Sequence, residues 1–175
     1  MKVLQILCGG AWGGGSEIVL AISSALIARG DQVWVVTASD EQTRRFQEAG
    51  VTVVQLPFWN RPVTLWNMMN PSDVAVFMQL FKLCRKERFD LVATHTSKAG
   101  FIGRLAARAA GIRCIVHHAH GFAFRDTQKP WMRRCYVVLE RIAARACHLI
   151  ISVSEDHRQG AIRERVARAD KIVTV

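Results

Sequence analysis

Val3-Leu4-Gln5-Ile6-Leu7-Cys8 runs into Gly9-Gly10-Ala11-Trp12-Gly13-Gly14-Gly15, and from Ser16 an apolar-periodic stretch continues until it stops at Gly30. The apolar run reads as a buried strand and the periodic one as a helix, with Ser16 as its N-cap and Gly30 just past its end. Between them the glycines allow a tight turn and a close backbone approach to a ligand. A helix starting there also offers free N–H groups and a positive dipole end, which suit a diphosphate. The familiar nucleotide signatures are absent: a G-x-G-x-x-G started at Gly13 meets Ile18 where the last glycine belongs, and no G-x-x-x-x-G-K-[ST] exists. A plain strand-to-helix turn would use the same glycines, so both readings stay open.

Outward from this unit the pattern repeats. Gln32 to Thr37 reads as a second strand, Asp40 caps a short polar helix ending at Gly50, and Val51 to Leu56 is a third strand. Ser72 caps a helix reaching about Arg88, and Leu91 to Thr94 is a strand that leads into His95-Thr96-Ser97-Lys98. A helix from Ala99 to Ala110 stops at Gly111, Ile112 to His117 is a strand, and His118 to Gln128 is a loop. Pro130 stands at the first turn of a basic helix ending near Cys147. Leu149 to Val153 is a strand, Ser154 caps the helix after it, and Lys171 to Val175 begins another strand. Alternation of this kind predicts one α/β domain over residues 1–175, a Rossmann-like doubly wound parallel sheet with helices on both faces. Only Pro57 to Pro71, with Trp59, Trp66, Met68 and Met69, breaks the pattern, and it is a candidate for lipid or acceptor contact. No repeat or linker interrupts the chain. It ends within a strand, which suggests one domain of a larger protein.

The five cysteines are scattered and never spaced C-x-x-C, which fits a reduced, cytoplasmic setting rather than a disulfide framework or zinc site. Neither a signal-peptide core nor an apolar run of about eighteen residues is present, so a soluble or peripherally membrane-bound protein is expected. Charge is unevenly placed: between Lys98 and His148 ten basic residues face only Asp126 and Glu140, leaving +8 of the chain's +10 there. Such a field favours an anionic partner. Aromatic residues are sparse in that half and no recognition motif occurs, so nucleic acid is not the expected partner. Trp131 to Arg145 reads as a basic amphipathic helix that packs on the sheet and could present its arginine edge to an anionic membrane.

In an open parallel sheet the ligand crevice lies at the carboxyl ends of the strands. The glycine loop, His95 to Lys98, His117 to Phe122 and Ser154-Glu155 all fall there. Three nearby imidazoles, those of His117, His118 and His120, invite a metal, but alternation puts His118 and His120 on one face and His117 on the other. No metal or other cofactor is expected. His120, beside Gly121, is the candidate that faces substrate, and His117 reads as a core residue; His148 and His157 read as structural.

Four segments together, Gly9 to Glu17, His95 to Arg104, His118 to Phe124 and Val153 to Glu155, resemble the N-terminal domain of retaining GT-B glycosyltransferases of family 4. These enzymes build capsular polysaccharide, exopolysaccharide and lipid-linked oligosaccharide. The resemblance implies two facing Rossmann-like domains, nucleotide-sugar held mainly by the C-terminal one and acceptor mainly by the N-terminal one. His120 matches the active-site histidine, and Gly13, Gly14, Gly15 and Ser16 match the turn beside the donor diphosphate. By the same resemblance His95, Thr96, Ser97, Lys98, Phe122 and Arg125 border an anionic lipid-linked or glycan acceptor, with Ser154 and Glu155 elsewhere in the cleft. The family's C-terminal domain with its E-x(7)-E motif is not in this sequence, so the chain alone is expected to be inactive. Two other readings compete: a dinucleotide-binding oxidoreductase domain, opposed by the missing glycine fingerprint, and a non-enzymatic module that binds anions or nucleic acid.

Overall fold

The computed structural model describes residues 1–7, 11–56, 71–124 and 128–175. Cys8 to Gly10, the Pro57 to Asn70 part of the irregular segment, and Arg125 therefore lie outside the described residues. Seven strands, β1 (Lys2–Ile6), β2 (Gln32–Thr37), β3 (Thr52–Gln55), β4 (Leu91–His95), β5 (Cys114–Ala119), β6 (Leu149–Ser152) and β7 (Ile172–Thr174), form one sheet in the order β3-β2-β1-β4-β5-β6-β7. Every pairing is parallel. The chain winds outward from β1 in both directions, so the switch in strand order falls between β1 and β4.

Among the described residues six α-helices alternate with the strands: α1 (Gly14–Ala28), α2 (Asp40–Glu48), α3 (Pro71–Glu87), α4 (Ser97–Ala109), α5 (Pro130–Arg145) and α6 (Glu155–Arg163). α1 and α2 pack with Leu7, Val33 and Val35 on one face, burying Val19 and Phe46. The larger cluster on the opposite face joins Leu4, Ile6, Val92, Ile115 and Ile150 to Val76 and Leu80 of α3 and Ile102 and Ala106 of α4. Two glycines of α4 face the sheet where a larger residue would not fit. A Cβ on Gly100 would stand 2.5 Å from His117 Cε1, and one on Gly103 would stand 3.0 Å from both Ile6 Cδ1 and Thr94 Cγ2.

The expected capping residues shift by small amounts. Ser39, not Asp40, caps α2, its side chain accepting from Gln42 N, whereas Ser154 caps α6 as expected by accepting from His157 N at 3.2 Å. Ser16 is not the cap of α1. Gly13 holds that place with φ −164°, and its carbonyl accepts from Ser16 N at 2.8 Å and Glu17 N at 3.1 Å. Ser16 is buried within the first turn, where its hydroxyl accepts from Gln42 Nε2 at 3.3 Å. The helix begins three residues early, with Gly13 extended at the cap and its carbonyl, not a serine hydroxyl, closing the first turn.

Candidate functional site

Parity in the sheet decides which side chains meet. Register aligns Gln5 with Ala93 and His95 with His118, so Gln5, His95 and His118 share the face on which α1 lies, and His120, two residues on, joins them. His95 and His118 stack with ring centroids 5.0 Å apart, and His95 and His120 at 5.4 Å. His95 Nδ1 lies 3.2 Å from His120 Nε2, and His95 Nε2 lies 3.1 Å from Gln5 Oε1. A Cβ on Gly15 would stand 3.8 Å from His120 Nε2. Segments after β1, β4 and β5 therefore converge on His120 at the switch point. His117 points to the opposite face, bonded to Thr94 Oγ1 at 3.0 Å and to the Thr94 carbonyl at 3.2 Å.

The glycine turn is held from its far side. Trp12 Nε1 donates to Glu17, its ring packs 5.5 Å from Phe46, and Arg45 lies 4.5 Å over it. Past this clamp the N–H groups of Gly14 and Gly15 have no backbone acceptor among the described residues, while that of Ser16 is spent on Gly13. Ser16, one of the four residues expected beside a diphosphate, is turned inward, its hydroxyl against Gln42.

Not every expected residue joins the cluster. Ser97 and Lys98 lie inside α4 rather than before it, and Lys98 is buried against α3, where Nζ meets Asp73 Oδ1 at 2.8 Å. Glu155 is exposed on α6 and accepts from Arg158, Gln159 and Thr174, tying the helix to β7. Phe122 stacks on Phe124 at 5.0 Å and lines a cleft of about 480 Å³ with His120, Arg133, Asp156, His157 and Arg163. Gln5, Arg133 and His157 are the residues that the sequence reading missed. For Gln5 a signal existed, a polar side chain amid an apolar strand; for His157 none did, since a histidine in the first turn of a helix has no distinctive pattern.

Thr96, between β4 and α4, has φ 62° and ψ 164°, a conformation that glycine alone adopts without strain. Its hydroxyl is buried without a partner among the described residues. Thr96→Gly is expected to raise stability by about 1 kcal/mol, the relief of strain exceeding the entropy glycine adds to the unfolded chain. Urea unfolding checks this, and a lower midpoint would contradict it.

Residues 13–175 match the family described as the Glycosyl transferase 4-like domain. The chain belongs to that family. It is 36% identical over 114 residues to an Escherichia coli protein named UDP-Gal:alpha-D-GlcNAc-diphosphoundecaprenol alpha-1,3-galactosyltransferase, covering 65% of this chain and 30% of that relative. Anabaena HepE in complex with UDP and glucose superposes with TM-score 0.71 at 21% identity, over 100% of this chain and 44% of HepE. A UDP-GlcNAc 2-epimerase from Methanocaldococcus jannaschii superposes with TM-score 0.68 at 16% identity, over 100% of this chain and 45% of the epimerase. Likeness at such identities speaks for the fold alone, here the N-terminal half of a GT-B arrangement, and it is the family match that separates transferase from epimerase. The chain spans less than half the length of these relatives.

In this glycosyl transferase 4-like domain, burial favours the neutral form of four imidazoles, those of His95, His117, His118 and His120. Burial, helped by the neighbouring rings, lowers His95 well below the ordinary value, and burial with Arg104 nearby does the same to His117. Burial also lowers His118 and His120. Unfolded imidazoles take up protons near pH 6.5 while these four do so only at lower pH, so the unfolded state binds more protons just below pH 6.5. Stability is expected to be full above about pH 6.5 and to fall as the pH drops from there, before the carboxylates titrate. Unfolding free energies at about pH 7.5 and 5.5 test this; equal values would contradict it. Stacked rings do not aim three nitrogens at one point, and among the described residues no three His, Cys, Asp or Glu side chains are grouped to hold a metal.

Proposed function

We propose that the chain is the acceptor-side domain of a retaining glycosyltransferase of cell-envelope glycan synthesis. The full-length enzyme moves a hexose or N-acetylhexosamine from a nucleotide-sugar to a lipid-linked or polysaccharide acceptor. The observation that carries this reading is the convergence on His120 of the Gly14-Gly15 turn, His95 and the end of β5, in a chain of this family. Such a site can place a donor diphosphate against helix N–H groups while a neutral imidazole meets a sugar hydroxyl. Transfer breaks the bond from the anomeric carbon to the diphosphate oxygen and forms one to an acceptor hydroxyl. A preorganised N-terminal dipole offsets charge on the departing nucleoside diphosphate without a metal.

A lipid-linked acceptor is the reading favoured by the E. coli relative, whose name specifies a diphosphoundecaprenol substrate. No described helix is long and apolar enough to cross a membrane. On α5, however, Trp131, Val138 and Ile142 are exposed alongside Arg134 and Arg145, a face suited to peripheral contact with the anionic inner leaflet of the cytoplasmic membrane. Incubating the full-length parent enzyme with a panel of nucleotide-sugars and a membrane lipid extract, and weighing the products, tests the proposal. A gain of one sugar mass on a lipid is the expected result; no transfer from any donor by a folded enzyme would refute it.

A further inference from the structure

A chain of hydrogen bonds runs beneath His120, and its direction is fixed at the far end. Ser23 Oγ donates to the Val19 carbonyl at 2.7 Å. A hydroxyl has one proton, so Ser23 accepts at its second contact, 2.8 Å from Gln5 Nε2. That places the Gln5 NH₂ group toward both Ser23 and the Val19 carbonyl, the latter at 3.4 Å. The reverse amide orientation would set Gln5 Oε1 against the Val19 carbonyl oxygen in a buried place, where Gln5 is 1% and Ser23 0% exposed. Gln5 Oε1 therefore faces His95 Nε2, which donates to it at 3.1 Å. A neutral imidazole has a single N–H, so His95 Nδ1 is an acceptor and His120 Nε2, 3.2 Å away, donates to it. The one proton of His120 is then on Nε2, and Nδ1 keeps a free lone pair.

We propose that Gln5 and His95 are positioning residues that lock His120 in its Nε2–H tautomer, so that Nδ1 accepts a hydrogen bond from a substrate sugar hydroxyl and does not donate to a phosphate. The lock follows from the bonds just given; the role of the hydroxyl rests on the function proposed above. Burial of both rings supports it, because it keeps them neutral and so confines each to one N–H. An imidazole free of such a chain would exchange between tautomers, presenting the wrong nitrogen part of the time.

Long-range nitrogen–proton NMR correlation of the histidine rings in the 175-residue chain, at neutral pH, reads the tautomers directly. His95 and His120 are both expected in the Nε2–H form. An Nδ1–H form of His120 would mean that the chain runs the opposite way, and would overturn the proposal. Gln5→Met removes the fixed acceptor opposite His95, and the Nδ1–H form of His120 should then become populated; an unchanged His120 pattern in the folded variant would overturn the lock. Should Gln5→Met not fold, the wild-type spectrum decides alone. In the full-length enzyme Gln5→Met should lower kcat with KM little changed. If the tautomer shifts while kcat does not, the hydroxyl role is refuted and the lock stands, so the two failures are told apart.

Discussion

His120→Ala is expected to lower turnover of the full-length enzyme by roughly 10²–10³-fold, the loss that follows removal of one preorganised polar contact to a transition state. Folding should be nearly unaffected. His120 lies at a loop end with its ring half-buried, and its departure leaves the core clusters on both faces of the sheet intact. Initial rates with the best donor and acceptor, set beside the urea midpoint of the variant, separate the two effects. Near-wild-type turnover would remove His120 from the reaction, and a collapsed midpoint would make it a structural residue instead.

Glu140→Ala is expected to cost about 3–5 kcal/mol of stability, because it strands a buried cation. Arg104 is fully buried on α4, its Nε donating to the Gly100 carbonyl at 2.7 Å and its Nη2 meeting Glu140 Oε2 on α5 at 2.9 Å. With the carboxylate gone, the guanidinium keeps its charge in a place that water does not reach. The pair itself contributes little, since desolvating two charges offsets most of their attraction. Arg104→Met combined with Glu140→Leu should accordingly stay within about 1–2 kcal/mol of the parent. Urea unfolding of the single and double variants distinguishes these; equal losses in both would show that packing, and not the lone charge, carries the effect.

The sheet was legible because each strand is a short apolar run bounded by a residue with one structural meaning. Gly30, Gly50 and Gly111 each stand at a positive φ at the end of a helix, and a helix stop of that kind identifies the strand that follows. Boundaries blurred where several glycines adjoin. Ser16 is the best N-cap by residue type, yet Gly13 supplies the carbonyl that closes the first turn. Lys98 shows a second limit. Its place four residues past Thr94 suggests the crevice, but the helix begins at Ser97, and helical rotation turns Lys98 toward Asp73 of α3.

The histidine cluster was half legible. Alternation along one strand separates His117 from His118 and His120, and the structure has that separation. Contacts across strands were beyond a linear reading: Gln5 and His95 are ninety residues apart and meet only because β1 and β4 are neighbours at the switch point. The strain at Thr96 left no trace in residue type, since threonine is the wrong residue for that conformation.

The central claim is that the ends of β4 and β5 form the acceptor side of a transferase. Titrating the isotope-labelled 175-residue chain with a short-chain, water-soluble sugar diphosphate lipid, and following its backbone amide signals, tests this most directly. The account predicts saturable shifts concentrated at His95 and Thr96 and from His118 to Phe122. Saturable binding elsewhere, or no shift in a folded chain at millimolar ligand, would contradict it.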